Sequence, residues 1–321
     1  MSIEFRHNPV LLEESINYLN IKKDGIYVDG TLGGAGHSFQ ILKKLSKNGL
    51  LIGIDRDLEA LDVSKKKLQQ YSNIKFIHDN HDNIKKILEE LQIFKVDGIL
   101  LDLGVSSYQI DEKTRGFSYL EDNKLDMRMD TTQKLNAWQV INEYTKEQLT
   151  KLLYEYGEER YSYKIANNIC EYRKNKTIDT TKELVEIIDK SIPMFAKKEG
   201  HPAKRTFQAI RIEVNNEIEP LYKTVMDCID CLKKGGRLCI ITFHSLEDRV
   251  VKKAYQEAEG RCICPSDLPY CVCGYTSYGK IINKKPIIAS GKEKRENSRS
   301  KSAKLRVFEK KIERRSTNGI V

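Results

Sequence analysis

Apolar residues in the first hundred positions alternate between two periods, one short and strand-like, the other helical. Ile26–Asp29 reads as a buried strand, and the glycine-rich turn Gly30-Thr31-Leu32-Gly33-Gly34-Ala35-Gly36-His37-Ser38 follows it. Apolar positions then recur helically through Phe39, Leu42 and Leu45. Leu50–Asp55 repeats the strand pattern before a helix from Leu58 to Leu68. Ile74–His78, a helix near Ile84–Leu91 and the strand Val96–Leu103 continue the series. Strands alternating with helices at this spacing predict a parallel sheet covered on both faces.

At Ser106 the alternation stops. From there to Asn215 the pattern is charged and helical, as in Lys146–Tyr156, Ser162–Tyr172 and Thr181–Ile188, with Thr180 or Thr181 as a cap for the last. A long helix, Pro220–Leu232, ends at Gly235-Gly236, and strands return at Gly236–Phe243 and Lys304–Phe308. The fold class expected is therefore α/β, a Rossmann-like sheet interrupted by a mainly helical insertion. Residues 1–105 and 216–321 would form one discontinuous domain and 106–215 the insertion.

Composition adds a modest bias. The 321 residues are 40% hydrophobic and 31% charged, which excludes disordered and fibrous classes. A net charge of +9, from 55 basic and 46 acidic residues, suits a polyanionic partner. It is concentrated in Lys292–Arg315, where 11 Lys or Arg stand against 4 Glu. Such a stretch is either a solvated terminus or a phosphate-binding surface. Met1–Pro9 lacks the apolar core of a signal peptide, and no apolar run is long enough to span a membrane. A cytoplasmic location is expected, with the eight cysteines reduced.

The chemistry most strongly encoded lies at the strand ends. Without side chains, Gly33, Gly34 and Gly36 let a ligand approach the backbone closely. The ligand is pyrophosphate in a dinucleotide enzyme, or the methionine carboxylate of S-adenosylmethionine; glycine spacing does not separate them. Asp55 closes the second strand about twenty residues beyond the turn, where a carboxylate accepts ribose hydroxyls. A surface aspartate opening the next helix is the competing reading. The run His78-Asp79-Asn80-His81-Asp82 ends the third strand and offers groups to flank an adenine. Asp102 ends the fourth, before the open loop Gly104-Val105-Ser106-Ser107, at the place where such sheets put chemistry.

Taken together, these strings resemble the bacterial small-subunit ribosomal RNA cytosine-N4 methyltransferase family. The resemblance runs from His7-Asn8-Pro9-Val10-Leu11-Leu12 to Ser300-Lys301-Ser302-Ala303-Lys304-Leu305-Arg306. Between them stand Asp29-Gly30-Thr31, Asp102-Leu103-Gly104-Val105-Ser106-Ser107-Tyr108-Gln109, Arg115-Gly116-Phe117-Ser118 and Leu125-Asp126-Met127-Arg128-Met129-Asp130. Phe207-Gln208-Ala209-Ile210-Arg211-Ile212 and Phe243-His244-Ser245-Leu246-Glu247-Asp248-Arg249 complete the set. The resemblance implies S-adenosylmethionine as methyl donor and a cytosine in the decoding region of 16S rRNA, within the small ribosomal subunit, as acceptor. It implies donor contacts at Ala35, Gly36, His37, Asp55, His81, Asp102 and Gln109. Where most relatives have phenylalanine this chain has His81, whose imidazole removes less apolar area from water.

On that resemblance, Asp102 is the candidate catalytic acceptor for an N4 proton, although binding the donor is its alternative role. The sequence Asp102-Leu103-Gly104-Val105 departs from the Asp/Asn/Ser-Pro-Pro-aromatic tetrad common among amino-methyltransferases. Ser106 and Ser107 are expected to position an unstacked base, with Phe117 and Tyr119 either holding it or packing in the core. His244 and Glu247 border the same cleft, His244 as a substrate-orienting or structural residue. Lys204 and Arg205, in His201-Pro202-Ala203-Lys204-Arg205-Thr206, are phosphate candidates that Arg211 and the basic C-terminal stretch would reinforce.

Cys262, Cys264, Cys271 and Cys273 would suffice for a tetrahedral structural zinc, but their one-residue inner spacing departs from the usual two to four and favours free thiols. No residue pattern suggests a catalytic metal. Two rival functions remain at this stage: an RNA-binding assembly protein that keeps a donor fold without turnover, and a nicotinamide-dependent oxidoreductase.

Overall fold

In the computed structural model, the residues described are 9–106, 109, 113–260, 268 and 277–312. The chain divides into two compact units, Met1–Gly104 with Ile218–Val321, and Val105–Glu217.

The first unit is built on one eight-stranded sheet. Its strands are β1 (Ile26–Asp29), β2 (Leu50–Asp55), β3 (Ile74–His78), β4 (Val96–Asp102), β5 (Leu232–Thr242), β6 (Gly279–Ile281), β7 (Ile287–Ile288) and β8 (Lys304–Lys310). They run in the order β3-β2-β1-β4-β5-β8-β6, with β7 also paired to β8. The first five are parallel, whereas β8 is antiparallel to β5, β6 and β7. An all-parallel dinucleotide sheet of order 3-2-1-4-5-6 has no such reversed strand.

The period-two alternation of side chains decides what each face buries. Val28, Ile99, Leu101 and Ile240 point to one face, against α4 (Ile84–Glu90), α10 (Leu221–Cys231) and α11 (Ser245–Glu259). Their neighbours Tyr27, Leu100, Cys239 and Ile241 point to the other, against α1 (Leu12–Tyr18), α2 (Gly36–Lys44) and α3 (Leu58–Lys67). Helices therefore cover both faces, as the uninterrupted apolar runs predict. The return of the chain differs in detail. The long helix stops at Cys231, and Leu232 already pairs with Val96 before the register shifts. Gly235 absorbs the shift at φ +78°, a conformation costly for other residues.

The second unit is helical, with α5 (Ala137–Glu143), α6 (Lys146–Gly157), α7 (Ser162–Arg173), α8 (Thr181–Ser191) and α9 (Lys204–Asn215). Leu149, Leu153, Ile165, Ile169, Leu184, Ile188 and Ile210 from these helices share one buried cluster. Capping boxes start α5 (Asn136 with Gln139), α6 (Thr145 with Gln148) and α8, where Thr180 rather than Thr181 is the cap. Among the described residues, no helix is long and apolar enough to cross a membrane.

Candidate active site

Four strand ends of the first unit meet around the glycine turn. At the end of β1, Asp29 accepts the Thr31 N–H (3.2 Å) and the Ser38 hydroxyl (2.7 Å). Gly30 donates its N–H to the Leu100 carbonyl (2.9 Å), and a Cβ there would fall 2.4 Å from Leu101 Cδ2. Only glycine fits. Farther along, Gly33 and Ala35 both adopt left-handed conformations, and Ala35 gives the first turn of α2 no side-chain cap. Those helix N–H groups remain suited to an anionic group.

The next elements hold this turn from outside. Asp55 Oδ2 accepts the Gly33 N–H (2.7 Å), and Oδ1 accepts the Asp57 N–H (2.9 Å). On α3, Ser64 Oγ donates to the Gly33 carbonyl (2.7 Å) and Lys67 Nζ to that of Gly34 (2.7 Å). These bonds tie the turn to β2 and α3. A Cβ at Gly34 would meet nothing within 4 Å. His81 opens the short 3₁₀ turn after β3, with its Cβ close enough to Gly30 to be part of the same wall.

Asp102 closes the group. Its N–H donates to Thr31 Oγ1 (2.6 Å), its Oδ2 lies 3.7 Å from His37 Nδ1, and its Oδ1 is buried without a hydrogen-bond partner. His37 Nε2 sits 3.2 Å from the Val10 carbonyl, which places the imidazole proton on Nε2 and leaves the Nδ1 lone pair facing Asp102. Burial pushes His37 down to about 4, so the ring is neutral at pH 7. It pushes the Asp29 carboxyl up to about 6 and raises Asp55. Asp102 is raised well above the usual range, first by burial and then by Asp29 and Glu247. Desolvated carboxylates so close together favour a positively charged ligand among them.

This arrangement has a consequence for stability. Asp29 titrates near 6 when folded and near 4 when unfolded, so the folded protein holds that proton more tightly. Its contribution therefore falls as pH rises from about 4 to about 6. Asp29→Asn should gain stability relative to the parent across that window and no further above it. Urea unfolding at several pH values measures the difference; a constant gap would contradict the assignment.

Other predicted residues fall elsewhere. Ser106 and Gln109 lie in the helical unit, where each backbone N–H donates to the other's side-chain oxygen (3.0 and 3.1 Å). Ser107 and Cys262, Cys264, Cys271 and Cys273 lie outside the described residues. Phe117 packs against the helical core; Tyr119 stacks on His201 with centroids 4.5 Å apart. Lys204 and Arg205 are exposed in the first turn of α9. Arg211, by contrast, is committed to a bidentate pair with Glu217 (2.8 and 2.9 Å) and does not reinforce them. His244 is the N-cap of α11: its Nδ1 accepts the Glu247 N–H while Glu247 Oε2 accepts the N–H groups of Phe243 and His244.

Sequence reasoning gave no role to the Thr31 hydroxyl or to Asp29. A usable signal was present, since Asp29 ends β1 just as Asp55 ends β2 and Asp102 ends β4.

A reversed strand between β5 and β6, a glycine turn after β1 and carboxylates at three parallel strand ends define a class I methyltransferase. Residues 4–311 match the MraW methylase family, and the chain belongs to that family. It is 58% identical over 308 residues to the ribosomal RNA small subunit methyltransferase H of Clostridium botulinum (strain Kyoto / Type A2), spanning 96% of this chain and 100% of that protein. The proteins of the same name from Clostridioides difficile (strain 630) and Ruminiclostridium cellulolyticum (strain ATCC 35319 / DSM 5812 / JCM 6584 / H10) are 54% and 52% identical over 310 and 312 residues, again covering 96% of this chain and 100% of each.

Proposed function

We propose that this chain transfers a methyl group from S-adenosylmethionine to N4 of one cytosine in the decoding region of 16S rRNA, acting on the small ribosomal subunit in the cytoplasm. The observation that carries this reading is the buried, unpartnered Asp102 Oδ1 at the end of β4, beside the glycine turn. Support for the substrate comes from the relatives, which are named ribosomal RNA small subunit methyltransferases and are matched over their whole length.

When bound, S-adenosylmethionine supplies a methyl group made electrophilic by its positively charged sulfur. The uncapped first turn of α2, over Gly36 and His37, suits the donor's carboxylate. Each Asp55 oxygen has already accepted one N–H and keeps lone-pair capacity for a ribose hydroxyl. His81 is the group proposed to flank the adenine, and Gln109 is proposed as a further donor contact. Beside the donor's positive charge, which favours its ionised form, the Asp102 carboxylate would accept a hydrogen bond from the cytosine amine and localise the lone pair on N4. It would take up the proton as the N–C bond forms and the donor's S–C bond breaks, leaving a neutral thioether. Thr31 fixes the backbone from which that carboxylate projects. Ser106, Ser107, Phe117 and His244 are the groups proposed to border the base.

RNA recognition is assigned to the helical insertion. Lys204 and Arg205 occupy a first helical turn, where the helix dipole disfavours cations, so a role in intrahelical stability does not account for them. Lys204→Glu with Arg205→Glu should weaken binding to small-subunit particles and flatten its salt dependence by about one to two charges. Equal affinity and slope would remove both residues from the interface.

The direct test incubates purified, under-methylated small-subunit particles with the protein and labelled donor. Label is expected in the RNA, approaching one methyl per particle. Label in ribosomal protein, or none despite donor binding, would overturn the reading.

A further inference from the structure

On the helical unit, α6 and α7 border an open, shallow cleft of about 390 Å³ lined by Lys146, Glu147, Thr150, Lys151, Tyr154, Ser162 and Tyr163. Lys146, Thr150 and Tyr154 follow one another at four-residue steps, so they form one stripe of α6. The neighbouring face, with Leu149, Leu152 and Leu153, is buried in the unit's core, and neither Tyr154 nor Tyr163 belongs to that cluster. Tyr154 and Tyr163 are 66% and 61% exposed, which leaves two large rings in water. Lys146 Nζ stands 5.1 Å from the Tyr163 ring centroid.

We propose that this cleft binds single-stranded RNA, with unstacked bases on the two tyrosine rings and flanking phosphates on Lys146 and Lys151. The inference rests on the RNA-directed reading above and adds a second contact region to it. Exposed rings beside cations form the combination that sequence-tolerant single-strand binders use: every base has a π-face and every nucleotide a negative charge. Two lysines against one acid give the lining a net positive charge, which suits a polyanion. The one acid, Glu147, lies in the first turn of α6, and its carboxylate is held below its usual range there, first by backbone hydrogen bonding and then by Thr145.

Binding of the full-length protein to small-subunit particles and to protein-free 16S rRNA tests the proposal. Tyr154→Ala with Tyr163→Ala should weaken both by roughly ten- to a hundredfold. Tyr154→Phe with Tyr163→Phe keeps the ring faces and should stay near the parent affinity. Lys146→Gln with Lys151→Gln should reduce the salt dependence by about one to two charges. A parent-like circular dichroism spectrum and urea midpoint in each variant establish that the helical unit is folded. Parent-like RNA binding by the double alanine variant would overturn the proposal. So would a loss seen on particles alone, since it would assign the cleft to a ribosomal protein. Either result in an enzyme that still methylates its particle leaves the proposed function standing; a parent protein that methylates no RNA removes that function instead.

Discussion

Asp102→Asn is expected to slow single-turnover methyl transfer by roughly 10²- to 10⁴-fold while changing donor affinity by less than about tenfold. Asparagine keeps the size of the side chain and one acceptor oxygen, but it takes up no proton and presents an amide N–H₂ where a second acceptor stood. The loss should appear in the chemical step because the orphaned Oδ1 makes no contact within the resting site that substitution would break. Asp102→Ala provides the comparison, since it removes both oxygens. Rapid-quench measurement at saturating donor, alongside calorimetric titration of the donor, separates the two roles. Preserved turnover with weakened donor binding would make Asp102 a donor ligand only.

For stability the largest effect is expected at Asp248→Ala. Asp248 accepts from Arg306 Nε (2.6 Å) and Nη2 (3.1 Å) and from Lys304 Nζ (3.2 Å). The Arg306 side chain, on a strand paired along both edges, is only 8% exposed. Removing the carboxylate leaves a guanidinium desolvated and unpaired, at a cost of about 3–5 kcal/mol. The urea midpoint should drop with little change in slope. Hydrogen bonds and charge from Arg306 and Lys304 outweigh burial and hold Asp248 below the usual carboxylate range. Its stabilisation is thus complete above the unfolded value near 3.9 and disappears only as pH falls through the lower folded one. A loss under about 1 kcal/mol near neutrality would show that water reaches the pair and screens it.

The same pair explains a limit of charge counting. Lys292–Arg315 read as a basic stretch with no visible partner, yet Lys304 and Arg306 neutralise Asp248, and the Lys310 ammonium is buried against the Asp230 carbonyl (2.9 Å). Arg211 met the same fate with Glu217. Partners distant in the chain do not show in a tally of signs.

Other features were legible because they are local. The parallel strands announced themselves as apolar runs, and their terminal aspartates stood at the boundaries that Asp55 and Asp102 occupy. Glycine was diagnostic at Gly30, where sterics demand it, and at Gly33, where a positive φ favours it. By contrast, β6 and β7 are three and two residues long, too short for any period to register. Helix α1 starts from Leu11 in a left-handed conformation without a side-chain cap, so no capping signal marked it. The Thr31–Asp102 and His37–Val10 contacts join residues far apart in sequence and emerge only once the strands are assembled.

The atom that receives the methyl group identifies the reaction. Under-methylated small-subunit particles treated with the parent protein, digested to nucleosides and mapped by mass spectrometry, should carry N4-methylcytidine at a single position in the decoding region. A methyl on a ring carbon, on another nucleotide or on protein would contradict an Asp102-assisted attack by the exocyclic amine.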